Sequence, residues 1–423
     1  MEKIRLGIIG MGNMGNGHLQ NILDGSCPHI TAAAFADINP EKLARAGKKL
    51  PSAALFPDAA AMLDSGLVDA ALVTVPHYDH PTLALECFRR GIHVMIEKPA
   101  GVYVRQVREM NEAAQKAGVV FGIMLNQRTN PLFIRAREIV RGGLLGVPKR
   151  LVWIITNWYR TQSYYDSGDW RATWSGEGGG VLLNQAPHNL DLWQWIFGMP
   201  QKVRAFCSFG KYHHIDVEDD VTIYGEYENG ATAVFISTTG EAPGTNRLEI
   251  SGDRGKLVLE EGKLKWWKLD TPEREFCFTS TEGFYVPPTS YEEFSAEAPD
   301  GHPIVLDRFA EAVLNGAPLI AAGEEGIHSL SISNAAYLSA WTNDWVSLPG
   351  NEALFEKHLE ELCRREAEKK SDKKNDAGQF RYSGIPSGAL AGQMVTCRRM
   401  SKPHTAPPAC PNQPNFVPFF RQL

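Results

Sequence analysis

The chain has 423 residues, room for two or three domains, and its 43% hydrophobic and 22% charged residues are an ordinary globular mix. A net charge of -6, with no long basic run ahead of the C-terminal tail, argues against a nucleic-acid partner. Seven scattered cysteines without a C-x-x-C pair suggest neither a zinc site nor a disulfide framework, and the first strand follows the N-terminus with no signal-like or membrane-spanning stretch, so a cytoplasmic protein without membrane contact is expected.

The apolar run Ile4 to Ile9 predicts a buried strand that enters Gly10-Met11-Gly12-Asn13-Met14-Gly15, with a helix from Asn16. Strand, G-x-G-x-x-G turn and helix in that order is the dinucleotide-binding pattern. Gly10 permits the tight turn, Gly12 leaves room for a pyrophosphate, and Gly15 lets helix and strand approach. The helix N-terminus offers its free N–H groups to the phosphates, and Asn13 and Met14 within the turn are candidate cofactor contacts. A second strand, Ile30 to Ala36, ends at Asp37, 22 positions past Gly15. An acid there accepts hydrogen bonds from the adenosine ribose and repels a 2′-phosphate, which favours NAD over NADP. The other role open to Asp37 is helix N-cap, for which Asn39 is better placed.

Helices over 40–50 and 57–65 and a strand over 70–75 continue the alternation. The strand ends in Thr74-Val75-Pro76-His77-Tyr78-Asp79-His80, so Thr74, Pro76, His77 and His80 are candidate cofactor contacts. The two histidines lack a third local ligand, and no metal is expected. After a helix over 81–90, the strand His93 to Ile96 ends in Glu97-Lys98-Pro99. Lys98 sits where a nicotinamide and substrate should meet. Its ammonium can stabilise oxygen charge as hydride leaves carbon, unless it is a surface lysine paired with Glu97. Glu97 and Asn126 complete the candidate cofactor contacts. A helix over 104–116 and a strand over 119–124 close a Rossmann domain at residue 125.

From residue 126 the pattern changes. After a helix over 132–141, aromatic and β-branched runs predict strands over 151–159, 203–209, 221–227, 231–237, 248–251, 256–259 and 263–269. Asn229-Gly230 marks a hairpin between two of them. Tight turns between strands mean a mainly antiparallel sheet, whose uncovered face suits a homo-oligomer, dimer or tetramer. Between the first strands lies Gly178-Gly179-Gly180-Val181-Leu182-Leu183-Asn184-Gln185-Ala186-Pro187-His188-Asn189-Leu190-Asp191. If the glycines open a helix, Asn184, His188 and Asp191 share a face. His188 is then the natural proton acceptor, with a core histidine satisfied by Asp191 as the other reading. An aromatic and polar cluster precedes it, with Tyr159, Arg160, Trp170, Arg171 and Trp174. These and Arg128 are candidate contacts for a polyhydroxylated ring, although such a loop can also be plain packing.

The G-x-G-x-x-G turn, Glu97-Lys98-Pro99 and the glycine-triplet helix with its histidine together resemble the glucose–fructose oxidoreductase, inositol dehydrogenase and rhizopine-catabolism family (Gfo/Idh/MocA), over roughly residues 1 to 350. The resemblance implies an α/β fold, a Rossmann domain followed by an α+β domain with a large open sheet. It implies NAD- or NADP-dependent chemistry at secondary hydroxyls of a carbohydrate or polyol. Lys98 matches the family lysine and His188 its catalytic histidine. Asn184 stands where the family often has aspartate, which puts a proton relay there in doubt. The expected activity is oxidation of a sugar, glycoside or cyclitol, with glycoside 3-oxidation as its narrower form. The rivals are redox-neutral glycoside cleavage with NAD and a nucleotide-binding regulator without chemistry. Helices over 303–315, 324–341 and 354–370 complete a second domain over 126–370. The Lys- then Pro-rich segment 371–423 is expected to be a poorly ordered tail.

Overall fold

Short strands of Ala, Val, Ile and Leu that are apolar on both faces need helices on both sides. The computed structural model, which describes residues 2–379, supplies them: β1 (Ile4–Ile9), α1 (Asn13–Leu23), β2 (Ile30–Ala36), α2 (Pro40–Lys49), β3 (Ala54–Phe56), α3 (Ala59–Asp64), β4 (Ala70–Val73), α4 (Asp79–Arg89), β5 (His93–Ile96), α5 (Val104–Ala117) and β6 (Phe121–Ile123). The six strands are parallel in the order β3-β2-β1-β4-β5-β6. Strand order reverses between β1 and β4, and the crevice at their carboxyl ends is where such sheets hold ligands. The unforeseen β3 takes three residues between the first helices. The helix expected over 57–65 begins only at Ala59, capped by the Asp58 carboxylate.

The second half is α6 (Pro131–Arg141), β7 (Pro148–Ile155), α7 (Gln162–Tyr165), α8 (Pro187–Phe197), β8 (Lys202–Phe209), β9 (Glu218–Glu226), β10 (Thr232–Thr238), β11 (Asn246–Gly252), β12 (Gly255–Glu260), β13 (Lys263–Leu269), α9 (Glu273–Thr279), β14 (Thr289–Ser295), α10 (Gly301–Asn315), α11 (Gly326–Thr342), β15 (Val346–Ser347) and α12 (Glu352–Gln379). Its nine-stranded sheet, β14-β13-β12-β11-β7-β10-β9-β8-β15, is antiparallel except for the parallel pair β7–β10. That exception follows from the long excursion between β7 and β8, which carries α7 and α8 off the sheet. One face packs Leu151, Trp153, Ile223 and Phe235 under helices. The other leaves Phe206 61% exposed.

Further features of the second half depart from the sequence reading. Strands β14 and β15 were not foreseen: TSYEEFS is polar and mostly exposed, and Val346–Ser347 is too short to show a period. Helix α10 does not serve the second sheet. Its Val305, Leu306, Phe309 and Ala310 share a core with Ile4, Leu6, Ile8 and Met95 of the first, so the chain returns to the Rossmann sheet after leaving it. Helix α12 runs on to Gln379, past the expected tail boundary at 370, and residues 380–423 lie outside those described.

Candidate active site

At the end of β1, Gly10 has φ +94, a conformation natural only to glycine. A Cβ on Gly15 would lie 2.0 Å from the Gly10 carbonyl, whereas one on Gly12 would meet nothing within 4 Å. Gly12 caps α1 without a side-chain hydrogen bond. Asn13 and Met14, which follow it in the first turn, are exposed. Thr74, closing β4, pins the turn by donating to the carbonyls of Gly10 (2.5 Å) and Ile9 (3.0 Å). Asp37 closes β2 beside it: one carboxylate oxygen accepts the Met11 N–H at 2.7 Å, the other the Asn39 N–H at 2.7 Å. Each oxygen keeps a lone pair for a ribose hydroxyl. Asn39, not Asp37, caps α2.

The β4–α4 loop is braced rather than free. Both ring nitrogens of His80 meet backbone carbonyls, of Pro99 (2.7 Å) and Val75 (2.8 Å), which corrects its assignment as a cofactor contact. His77 is buried, with Nδ1 on the Glu177 carbonyl at 2.9 Å, while Pro76 is exposed beside it. Glu97 is also internal. Its Oε1 lies 2.7 Å from His18 Nε2, and its Oε2 accepts the Lys98 N–H at 3.1 Å. Burial works to raise its pKa, but the His18 hydrogen bond and nearby positive charge outweigh it and leave about 2. The carboxylate is thus a fixed anion behind Lys98, not a cofactor ligand.

Lys98 Nζ donates to the Asn184 carbonyl at 2.9 Å. Desolvation lowers the ammonium pKa, with Glu97 and Glu177 opposing. His188 lies in the first turn of α8, which Pro187 opens. Burial, then the Lys98 ammonium, push its pKa down to about 3, so the ring is neutral with a lone pair to offer. Among the described residues its buried Nδ1 has no partner, nor do His18 Nδ1 and Asn126 Oδ1. These side chains share one cluster: His18 stacks edge-on against His302 at 5.7 Å, and Asn126 Nδ2 lies 3.1 Å from His302 Nδ1. Buried polar atoms left unpaired call for a partner, an ordered water or a bound group.

The expected polar stripe on one helix does not exist. Asn184 lies in the turns before α8, so its spacing from His188 is not a helical one. Its Nδ2 donates to the buried Glu177 carboxylate, whose other oxygen accepts the Ala172 N–H at 2.6 Å. Asp191 does not serve His188 either: it holds Arg128 through bonds of 2.7 and 2.8 Å, and Arg128 also reaches Glu325 at 2.6 Å. With its side chain 1% exposed, Arg128 is a structural clamp and not a substrate contact. Trp174 is likewise internal. It is 2% exposed and packs on Tyr337 and Trp341, its Nε1 donating to the Asp216 carbonyl at 3.0 Å. Tyr159 is exposed. Trp170, half-buried, meets His77 edge-on at 6.2 Å, and Arg171 Nη1 donates to the Tyr164 hydroxyl at 2.9 Å. That hydroxyl is 3.5 Å from Asn184 Oδ1, so Arg171, Tyr164, Asn184 and Lys98 form one hydrogen-bonded line.

The residues fit NAD: an uncapped helix N-terminus in front of a glycine with open space, an acid at the end of β2, and orphaned polar atoms along the crevice. Sequence reasoning passed over His18 and His302, which carry no local signal, and placed Tyr164 in the aromatic cluster and Glu177 beside the glycine triplet without giving either a role.

A model of an oxidoreductase family with an NAD-binding Rossmann fold matches residues 4–125, and a GFO/IDH/MocA C-terminal domain model matches residues 133–258. The chain is 24% identical to the myo-inositol 2-dehydrogenase of Thermotoga maritima, over 79% of this chain and 95% of that one. It is 25% identical to the D-apiose dehydrogenase of Paraburkholderia graminis, over 84% and 92%. The structure of the WlbA dehydrogenase from Bordetella pertussis, in complex with NADH and UDP-GlcNAcA, matches with a TM-score of 0.69 at 26% identity, covering 83% of this chain and 100% of that one. No helix among the described residues is long and apolar enough to cross a membrane.

Proposed function

The chain belongs to the GFO/IDH/MocA oxidoreductase family, a dehydrogenase with NAD as its cofactor, and from that premise we propose that it acts on a secondary hydroxyl of a sugar, glycoside or cyclitol. The observation that carries this reading is the neutral His188 ring, set in a cleft with the Lys98 ammonium and an unpaired Nδ1. When bound, NAD supplies the hydride acceptor. The glycine turn and the α1 N-terminus hold its pyrophosphate, and Asp37 holds the adenosine ribose. His188 accepts the hydroxyl proton on its free ring nitrogen, and Lys98 Nζ donates to the substrate oxygen as charge develops. Asn184 contributes no proton. Its carbonyl orients Lys98, and its amide is tethered to Glu177. The narrower reading, oxidation of a glycoside at C3, rests on the half-buried Trp158 and Trp170 beside the cleft.

The test is a panel of sugars, glycosides and inositols with NAD, followed by NADH absorbance. Steady NADH release supports the dehydrogenase. Glycoside cleavage without net NADH would give the redox-neutral reading instead, and binding of NAD without turnover of any member would leave a regulator. The uncovered sheet face, with Phe206 exposed, supports a homo-oligomer, for which light scattering should give a dimer or tetramer mass.

A further inference from the structure

Three cations stand together at the cleft without ion pairs among the described residues: Lys98, Arg160 and Arg171. The two guanidiniums bracket one aromatic ring, with Arg160 Cζ 5.1 Å and Arg171 Cζ 4.6 Å from the centre of Tyr164. Arg160 also lies 5.7 Å from the Trp158 ring and Arg171 4.6 Å from Trp170. Their polar atoms are little used. Arg171 spends Nη1 on the Tyr164 hydroxyl at 2.9 Å, and Arg160 spends Nη1 on the carbonyls of Tyr159 (2.9 Å) and Trp158 (3.4 Å).

The surrounding acids form no ion pair with them among the described residues, although the buried Glu97 and Glu177 carboxyls both favour the charged Lys98 ammonium. Glu177 is committed to Asn184 and the Ala172 N–H. Asp166 accepts from Gln162 at 3.0 Å, and Asp169 is exposed without a partner among the described residues. Both guanidiniums lower the Lys98 pKa, which places all three charges in one electrostatic neighbourhood. Half-buried like charges repel, and water screens them less than on an open surface. A guanidinium held over aromatic rings with only Nη1 engaged keeps Nη2 and Nε for an oxyanion. Neutral hydroxyls would leave the repulsion in place.

We infer that the substrate is an anionic sugar, whose carboxylate or phosphate is bound by Arg160 and Arg171 beside Tyr164 while the reacting hydroxyl lies at Lys98 and His188. This rests on the sugar-dehydrogenase reading of the same cleft and names its substrate class.

The experiment uses the full chain with NAD and matched sets: glucose, glucuronate and glucose 6-phosphate, then galactose, galacturonate and galactose 6-phosphate. Turnover is read as NADH formation, and binding of each compound is read by calorimetry with NADH present. The expected result is a preference of tenfold or more in kcat/KM for an anionic member over its neutral partner, shrinking as salt is raised. The arm that gains tells a carboxylate from a phosphate. Arg171→Gln and Arg160→Gln should each remove most of that preference, read as the ratio of kcat/KM between the anionic and neutral members, with the NAD affinity unchanged, and Arg171→Lys should restore part of it. Equal or better use of the neutral members, with the arginine variants slowing all members alike, would overturn the inference while the dehydrogenase reading stands. If no member is turned over, that reading is the one that fails, and the binding arm still decides this one. Saturable binding of an anionic member lost in Arg171→Gln supports it, and absence of binding by every anionic member overturns it.

Discussion

Two glycine turns frame the site, one at Gly10–Gly12 leading into α1 and one at Gly178–Gly180 leading through a run of turns to α8. At the first turn a Cβ on Gly12 would enter open space, and the helix cap carries no side-chain bond. At the second, a Cβ would lie 2.4 Å from Val102 Cγ1 at Gly178, 2.1 Å from the Tyr337 hydroxyl at Gly179 and 1.9 Å from the Glu218 carbonyl at Gly180. The N–H groups there are spoken for: Glu218 accepts from Gly180 at 2.9 Å and from Leu182 at 2.8 Å, and the Tyr337 hydroxyl donates to it at 2.7 Å. Both turns are anion cradles by geometry. One has the Glu218 carboxyl built in, its pKa pushed up to about 7 by burial, and the other is open to a phosphate. Glycine content does not separate the two cases; the partners of the backbone N–H groups do.

If the closed turn exists to set α8, its product is the position of His188, and the largest effect belongs there. His188→Ala should lower turnover on the order of a hundredfold to ten-thousandfold, with NAD affinity preserved because the open turn is untouched. A variant that keeps wild-type turnover would detach the closed turn from catalysis. The next effect is structural. Gly180→Ala should destabilise the protein by about 3 kcal/mol, since its methyl would press on the Glu218 backbone, read as a lower urea midpoint. An unchanged midpoint would mean that the second turn is as roomy as the first.

Much of this was readable beforehand, for physical reasons that particular residues show. The parallel strands are apolar runs between helical periods, and the first glycine turn stands in its strand–helix context, so both have local signals. The pairings that build the site do not. His18 reaches Glu97 across 79 positions and Arg128 reaches Asp191 across 63, and no spacing rule marks either. Asn184 was misplaced because i, i+4 implies a shared face only inside a helix, and Pro187 starts that helix three residues later. Trp174 and Arg128 carry the residue types of a sugar site, and burial turned both into framework.

His77 ties the two turns together. It follows the strand that pins the open turn, and its Nδ1 rests on the Glu177 carbonyl just before the closed one. Burial, with His80 and Lys98 adding to it, holds His77 neutral down to about 3. Unfolded, it would titrate near the ordinary 6.5, so between those values the unfolded chain carries a proton that the folded chain lacks. Its contribution is present above pH 6.5 and is lost as pH falls. Acidification from 6.5 to 5 should remove up to about 2 kcal/mol through this group. Urea midpoints across that interval should fall less steeply for His77→Asn than for wild type. Parallel pH dependences would show that His77 ionises freely and does not bridge the turns.

The smallest expected effect sharpens the comparison most. Gly12 has φ -75, a value any residue adopts, and its Cβ position is empty, so Gly12→Ala should leave the ligand-free protein within about 1 kcal/mol of wild type. That residual cost is the poorer N-cap that alanine makes, not a clash. The space that the methyl would occupy is the approach of a pyrophosphate to the uncapped N–H groups of α1. NAD affinity should therefore fall about tenfold, roughly 1.4 kcal/mol, while thermal stability without NAD changes little. The pair of measurements separates the two glycine turns directly. In the open turn a methyl costs binding more than folding, and in the closed turn the order reverses. Equal loss of stability in Gly12→Ala and Gly180→Ala would mean that the first turn is packed against protein, and that its glycines do not serve a bound phosphate.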